Sequence, residues 1–377
     1  MKTVLCVTLL ALAVLACGEG KPVPPGDGGE DGAAPATGIA AGYDKGLDFL
    51  KTRAKDGNYG DPGFTAIAVT PFLTRPGGVR PEDREFIDKG IAFLLENVKE
   101  NGGIYGRGVA NYSTCVSIMA LVNDDPEKHK DAIGGAVKFV KSLQAASGGI
   151  GYSDKTTKDD PDLSNTQFAI EALRKAGVEK DDPTFSHALK FLQSIQNRSE
   201  TNPGEYKLED GRWIVPMDDG GAFYKPTESK AGAVENPDGT VSLRSYGSTT
   251  YAMLKCYLMA GLDASDGRVK DALKWVANHY TLEENPGFDT SEDPKAGMQG
   301  YFYYLVTMAK ALDALGADEV KDADGVEVDW KAELGRELLA RQKEDGSWVN
   351  EDMDRWLEGK PVLATAYALT ALSYCTD

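Results

Sequence analysis

Six times along this chain an amphipathic stretch runs into a Gly-aromatic turn, and a second, more uniformly apolar stretch follows. The last copy is the clearest: Leu334 to Gln342 leads through Gly346 and Trp348 to the run from Pro361 to Leu372. The earlier turns span Gly57 to Gly60, Gly102 to Gly106, Gly148 to Tyr152, Gly220 to Tyr224 and Pro286 to Phe288. Such a unit can bury its apolar face only on its neighbours, so the repeat constrains the architecture before any single residue is read.

The first stretch of each unit has apolar residues at helical spacing, as in Ile91, Phe93, Leu94 and Leu95, or Val137, Phe139, Val140 and Leu143. Polar residues fill the opposite side, which predicts surface helices packed on one face. The second stretches, from Phe64, Ser113, Thr166, Ser248, Tyr301 and Ala364 onward, are apolar almost all round and rich in Ala. Helices of that kind are buried. Outer helices alternating with inner ones predict an all-α fold, an α/α toroid of about six helix pairs. Strand signals are scarce, apart from a hairpin expected near Trp213 to Val215. The long Gly-, Asp- and Pro-rich connections, about 197–246 and 283–300, would rim one end of a central cavity. Polar residues open two inner helices: Asp162, Ser164 and Asn165 in one, Tyr246, Ser248, Thr249 and Tyr251 in the other. They read either as helix caps or as N-termini converging on one cavity, where they would favour an anionic or electron-rich ligand.

The balance of 41 basic against 59 acidic residues gives a net charge of −18, which argues against nucleic acid as a partner. Lys2 followed by the apolar run Val4 to Ala16 reads as a signal peptide, residues 1–16, too short to span a bilayer. It ends in Val14, Leu15, Ala16, Cys17, Gly18, which resembles a bacterial lipobox. That resemblance implies lipidation at Cys17, export, and anchoring of a cell-envelope lipoprotein to the membrane. Residues 17–40 are Gly-, Pro- and acid-rich and read as a flexible tether to a domain at 41–377. Cys115, Cys256 and Cys375 are far apart in apolar runs, a spacing of buried structural thiols rather than of disulfides or a zinc site. The three histidines, His129, His187 and His279, fall in outer-helix or loop contexts and read as surface residues.

The segments Lys45 to Tyr59 and Gly335 to Trp348 resemble the repeat of squalene and oxidosqualene cyclases and of protein prenyltransferase β-subunits, in which a basic-Gly-x-x-Phe-Leu helix ends at Gln and Gly-x-Trp. Tyr246 to Ala252 and Asp345 to Asn350 resemble exported bacterial members of the prenyltransferase/squalene-oxidase repeat group. The resemblance covers residues 41–377 and implies the same toroid. By the same resemblance, Asp162 to Thr166 corresponds to the cyclase acid motif. Its second and third acids, the proton donor included, are here Ser164 and Asn165, which are not acids strong enough to protonate an alkene. The prenyltransferase zinc ligands correspond to Gln299, Tyr301 and Ala364, so no metal and no other cofactor is expected.

What remains is an aromatic cavity, with Tyr246, Tyr251, Tyr301 and Tyr304, with Tyr303 beside them, and with Trp356 and Asp354 in the last loop. Three functions compete. One is a terpenoid-cyclase- or prenyltransferase-like protein that acts on or binds an isoprenoid-like apolar ligand. A second is a non-catalytic envelope lipoprotein that binds a ligand or partner. The third is a carbohydrate-active toroid. Catalysis is left open between them.

Overall fold

The computed structural model describes residues 36–152 and 160–376. The signal segment and Cys17 lie outside the described residues. Helix α1 (Ala36–Arg53) pairs with α2 (Pro62–Leu73), α3 (Arg84–Glu96) with α4 (Ala110–Asp124), and α5 (Lys130–Ser142) with α6 (Leu163–Lys175). Three more pairs follow: α7 (Pro183–Ser194) with α8 (Gly247–Met259), α9 (Gly267–His279) with α10 (Tyr301–Leu315), and α11 (Trp330–Arg341) with α12 (Pro361–Leu372). The even-numbered helices pack in sequence, and α12 returns to α2, so the inner ring closes. The odd-numbered helices lie outside it, with α3, α5 and α9 packed mainly on the preceding inner helix and α1 on α12. Burial follows the predicted split. In α8 every residue from Gly247 to Tyr257 is buried, whereas α5 buries only Ile133, Ala136, Phe139 and Val140. Helix α1 starts at Ala36, inside the segment expected to be a tether, because Ile39 is buried beside Gly335 of α11.

Two side chains of the repeat sew the units together. A threonine in the first turns of an inner helix accepts the backbone N–H of the preceding Gly-aromatic turn. Thr114 takes Ile104 at 2.9 Å, Thr166 takes Ile150 at 2.9 Å, Thr250 takes Ala222 at 3.0 Å and Thr365 takes Trp348 at 3.0 Å. A glutamine at the end of an outer helix spans to the next one. Gln144 donates to the carbonyls of Gly148 and Thr184, Gln196 to Gly220 and Arg268, and Gln342 to Gly346 and Gly42. The last pair joins the end of the chain to its beginning. Gly346 sits at φ 89°, and a Cβ there would lie 2.4 Å from the carbonyl oxygen of Lys45. Only glycine lets this turn approach α1 so closely. Trp348 is fully buried and donates its indole N–H to Leu338 at 2.7 Å, a packing role.

The hairpin expected near Trp213 belongs to a four-stranded sheet in the α7–α8 connection. Strands β1 (Tyr206–Lys207), β2 (Trp213–Ile214), β3 (Ala233–Glu235) and β4 (Val241–Leu243) lie in the order β1-β2-β4-β3. A second hairpin, β5 (Val320–Lys321) with β6 (Glu327–Val328), precedes α11. Strands of two or three residues are too short to display a two-residue period, which is why only the hairpin near Trp213 was foreseen. Cys115 and Cys256 are buried free thiols and Cys375 is half-buried. His129 is not a surface residue: it is buried, with Nε2 at 2.7 Å from Asp124. No described helix is long and apolar enough to cross a membrane.

Candidate functional site

The inner ring encloses two chambers. Four aromatic side chains from four inner helices form a waist between them. Tyr112 of α4 meets Phe168 of α6 edge-on at 4.6 Å, and Phe168 lies 6.3 Å from Tyr303 of α10. Tyr303 lies 6.0 Å from Tyr367 of α12, whose hydroxyl returns to that of Tyr112 at 3.0 Å. Tyr303 and Tyr367 line both chambers.

The chamber at the N-terminal ends of the inner helices has a volume of 350 Å³. Tyr152, Tyr224, Tyr246, Tyr303, Tyr367 and Trp356 form much of its wall, with Leu163, Ser164, Lys230, Ser248, Thr249, Ala252 and Glu358. The starts of α6 and α8 therefore converge here, as their polar openings suggested. Their amides, however, are already occupied. Asp162 accepts the backbone N–H of Asn165 at 2.9 Å, and Asn285 Oδ1 accepts that of Ser248 at 2.9 Å. Glu358 takes the N–H groups of Phe302 at 3.2 Å and Tyr303 at 2.7 Å. The helix N-termini that were expected to favour an anion are thus satisfied from within the protein.

Glu358 is the single carboxylate among the described residues of this wall, and it is 1% exposed. Burial pushes its pKa up to about 7, against the pull of the Asn350 amide and the α10 backbone amides. Asp162 stands just behind the wall, where burial pushes it up to about 6 against its hydrogen bonds from Asn165 and Tyr224. Both are weak acids. Ser164 Oγ lies 3.1 Å from the Tyr303 hydroxyl, which also accepts from Gln167 Nε2 at 2.9 Å. Asn165 turns away from the chamber to Asp162 and Asn111. At the mouth, Trp356 is 40% exposed, and its ring lies under the Arg355 guanidinium and against Gly300. Trp356 and Leu357 both adopt left-handed backbone, at φ 60° and 68°, immediately before Glu358. Two successive large residues in that region store strain of about 1–3 kcal/mol each, a cost that clusters at functional sites.

The candidate residues therefore divide. Ser164, Tyr246, Ser248, Thr249 and Trp356 line this chamber. Asp162 and Asn165 support it from behind. The remaining five face elsewhere. The Tyr301 hydroxyl donates to Leu282 and Glu337 on the outer side, and the Tyr304 hydroxyl donates to Thr281. Tyr251 is buried against Tyr304. Gln299 is held by Arg355, and Asp354 accepts the N–H of Gly359 in the last loop. Helix geometry explains the split. On α10 the inward face is Tyr303, Val306, Thr307, Lys310 and Ala314, a 3–4 residue period that leaves Tyr301 and Tyr304 off the stripe.

The second chamber, at the C-terminal ends of the inner helices, has a volume of 610 Å³. Its walls mix apolar residues, such as Ile67, Val116, Met119, Leu258 and Val306, with polar ones, such as Thr70, Asn123 and Gln167, and Glu171, Lys255 and Lys310 stand among them. None of these three was anticipated, and neither was Glu358. The signal was present: Glu171 of α6, Lys255 of α8 and Lys310 of α10 each interrupt an apolar run of an inner helix. Among the described residues no group of three or more His, Cys, Asp or Glu could hold a metal ion.

A family model for the squalene-hopene cyclase C-terminal domain matches residues 68–206, from within α2 to β1. The type II terpene cyclase MstE from Scytonema, in its apo form, superposes with a TM-score of 0.53 at 13% identity over 89% of this chain and 98% of its own. The α-1,6-mannanase GH76A from Salegentibacter superposes with a TM-score of 0.55 at 11% identity over 90% of this chain and 100% of its own. The chain thus has the α/α-toroid fold that both of these proteins share, with a stretch similar to the squalene-hopene cyclase C-terminal domain. No curated protein matches its sequence.

Proposed function

We propose that this chain is an exported lipoprotein, anchored to the membrane through Cys17, that binds a compact isoprenoid-like ligand in the tyrosine chamber. The observation that carries this reading is the chamber wall: six aromatic side chains around 350 Å³, with one buried carboxyl, Glu358. Aromatic faces offer apolar and π contact to unsaturated or branched hydrocarbon, and a chamber of this size falls at the lower end of ligand pockets, roughly 300–1,000 Å³. The acids favour holding over cyclising. Alkene protonation needs a strong acid, whereas Glu358 and Asp162 are raised to about 7 and about 6. A carboxyl held neutral donates a hydrogen bond instead, and a prenol hydroxyl is a suitable acceptor.

A second reading rests on the mouth, where Tyr152 is 45% and Trp356 is 40% exposed. Exposed aromatics suit sugars, and the Salegentibacter mannanase has the same fold. Glu358 is the single lining carboxylate among the described residues, which weighs against glycoside hydrolysis, a reaction that uses a pair. Titration of geranylgeraniol and of α-1,6-mannotetraose, followed by tryptophan fluorescence, separates the two readings. The isoprenoid should change the signal, and Trp356→Phe should abolish most of that change. A response to the oligosaccharide alone would replace the first reading by the second.

A further inference from the structure

We propose that the larger chamber, at the C-terminal ends of the inner helices, is a separate site for an acidic amphiphile, an aliphatic chain carrying a carboxylate or phosphate head. This is independent of the reading given for the tyrosine chamber. A protein of net charge −18 sets five cations, Lys255, Lys310, Arg174, Lys175 and Lys180, around this one cavity, with Glu171 the single carboxylate among the described lining residues. Glu171 is shared between two ammonium groups: Lys255 Nζ bonds one oxygen and Lys310 Nζ the other, the latter at 2.6 Å. With both lysines protonated the triad carries one excess positive charge, a state that burial of Lys255 opposes and a bound anion would favour.

The Lys255 side chain is 1% exposed, and Glu171 is its one hydrogen-bond partner among the described residues. An ammonium has three donors, so two remain for the cavity that Lys255 lines. An uncompensated buried charge is costly, and a bound anion offsets that cost directly. A purely structural triad joining α6, α8 and α10 would need neither the excess charge nor a cavity of 610 Å³ beside it. Val116, Met119, Leu258, Met259 and Val306 supply an apolar wall for the chain, while Lys175 and Lys180 are exposed residues of the lining. The head would sit against Lys255 and Lys310, its tail along that wall.

The test uses dodecanoate, dodecyl phosphate and dodecanol on the purified protein, by calorimetric titration and thermal shift. Either anion, or both, should bind and raise the melting temperature, and dodecanol should do neither. Which anion binds more tightly identifies the head. Lys310→Met should weaken binding by about tenfold or more, the value of a charge-assisted hydrogen bond. Glu171→Gln should tighten it, because the internal competitor for both lysines is removed, and a purely structural role predicts no such gain. Circular dichroism verifies that each variant folds. Should Glu171→Gln unfold, Lys310→Met decides, since that side chain is 16% exposed. Equal binding of dodecanol and the anions, unchanged affinity in Lys310→Met, or no binding by either anion would overturn the proposal.

Discussion

At the residue scale, Glu358 and Asp162 do the unusual thing: buried carboxyls kept weakly acidic against helix N-termini that pull the other way. Each favours its protonated form in the folded chain, so each makes the folded state less stable as pH rises from its ordinary value to its folded one. For Glu358 that window runs from 4.5 to about 7, and for Asp162 from 3.8 to about 6. Only Glu358 titrates in the upper part. Glu358→Gln should therefore flatten the stability profile between about pH 6 and 7, a difference on the order of 1 kcal/mol across that unit. Denaturant unfolding of both proteins at closely spaced pH values measures it. A mutant profile parallel to that of the parent would mean that Glu358 is ionised throughout.

At the element scale, the repeat is a fastening device as much as a packing pattern. In α4, α6, α8 and α12 a threonine accepts the N–H of the preceding turn. Thr166→Val keeps the shape but strands the Ile150 N–H, and should cost about 1–3 kcal/mol, whereas Thr166→Ser should cost less. Urea unfolding compares the two, and equal losses would point to methyl packing rather than to the hydroxyl. This scale is also where the sequence was most legible. Alternating amphipathic and wholly apolar stretches announce outer and inner helices, because burial on one side or all round dictates composition. Of the short strands, only the hairpin around β2 left such a trace. The site was half legible. Polar starts of α6 and α8 pointed to Ser164, Ser248 and Thr249, but the run Tyr301 to Tyr304 was read without its helical phase. Only Tyr303 of that run faces inward. Glu358 follows a strained loop with no periodicity, so nothing local betrayed its place beneath α10.

At the scale of the whole molecule, closure of the ring makes one axis with two unlike ends. The Gln342 bond to Gly42 and the close approach of Gly346 to Lys45 join the last unit to the first. Twelve helices then enclose an aromatic waist with a tyrosine chamber on one side and a cationic one on the other. The fold is that of terpene cyclases, while the acids present suit retention of a ligand better than protonation of an alkene. The most direct test is native mass spectrometry of the full-length protein purified from cells that express it, with the released ligand identified after solvent extraction. A retained isoprenoid-like molecule, lost in Tyr246→Ala, is the predicted result. A chain that carries no such molecule and takes up no added isoprenoid would contradict the account.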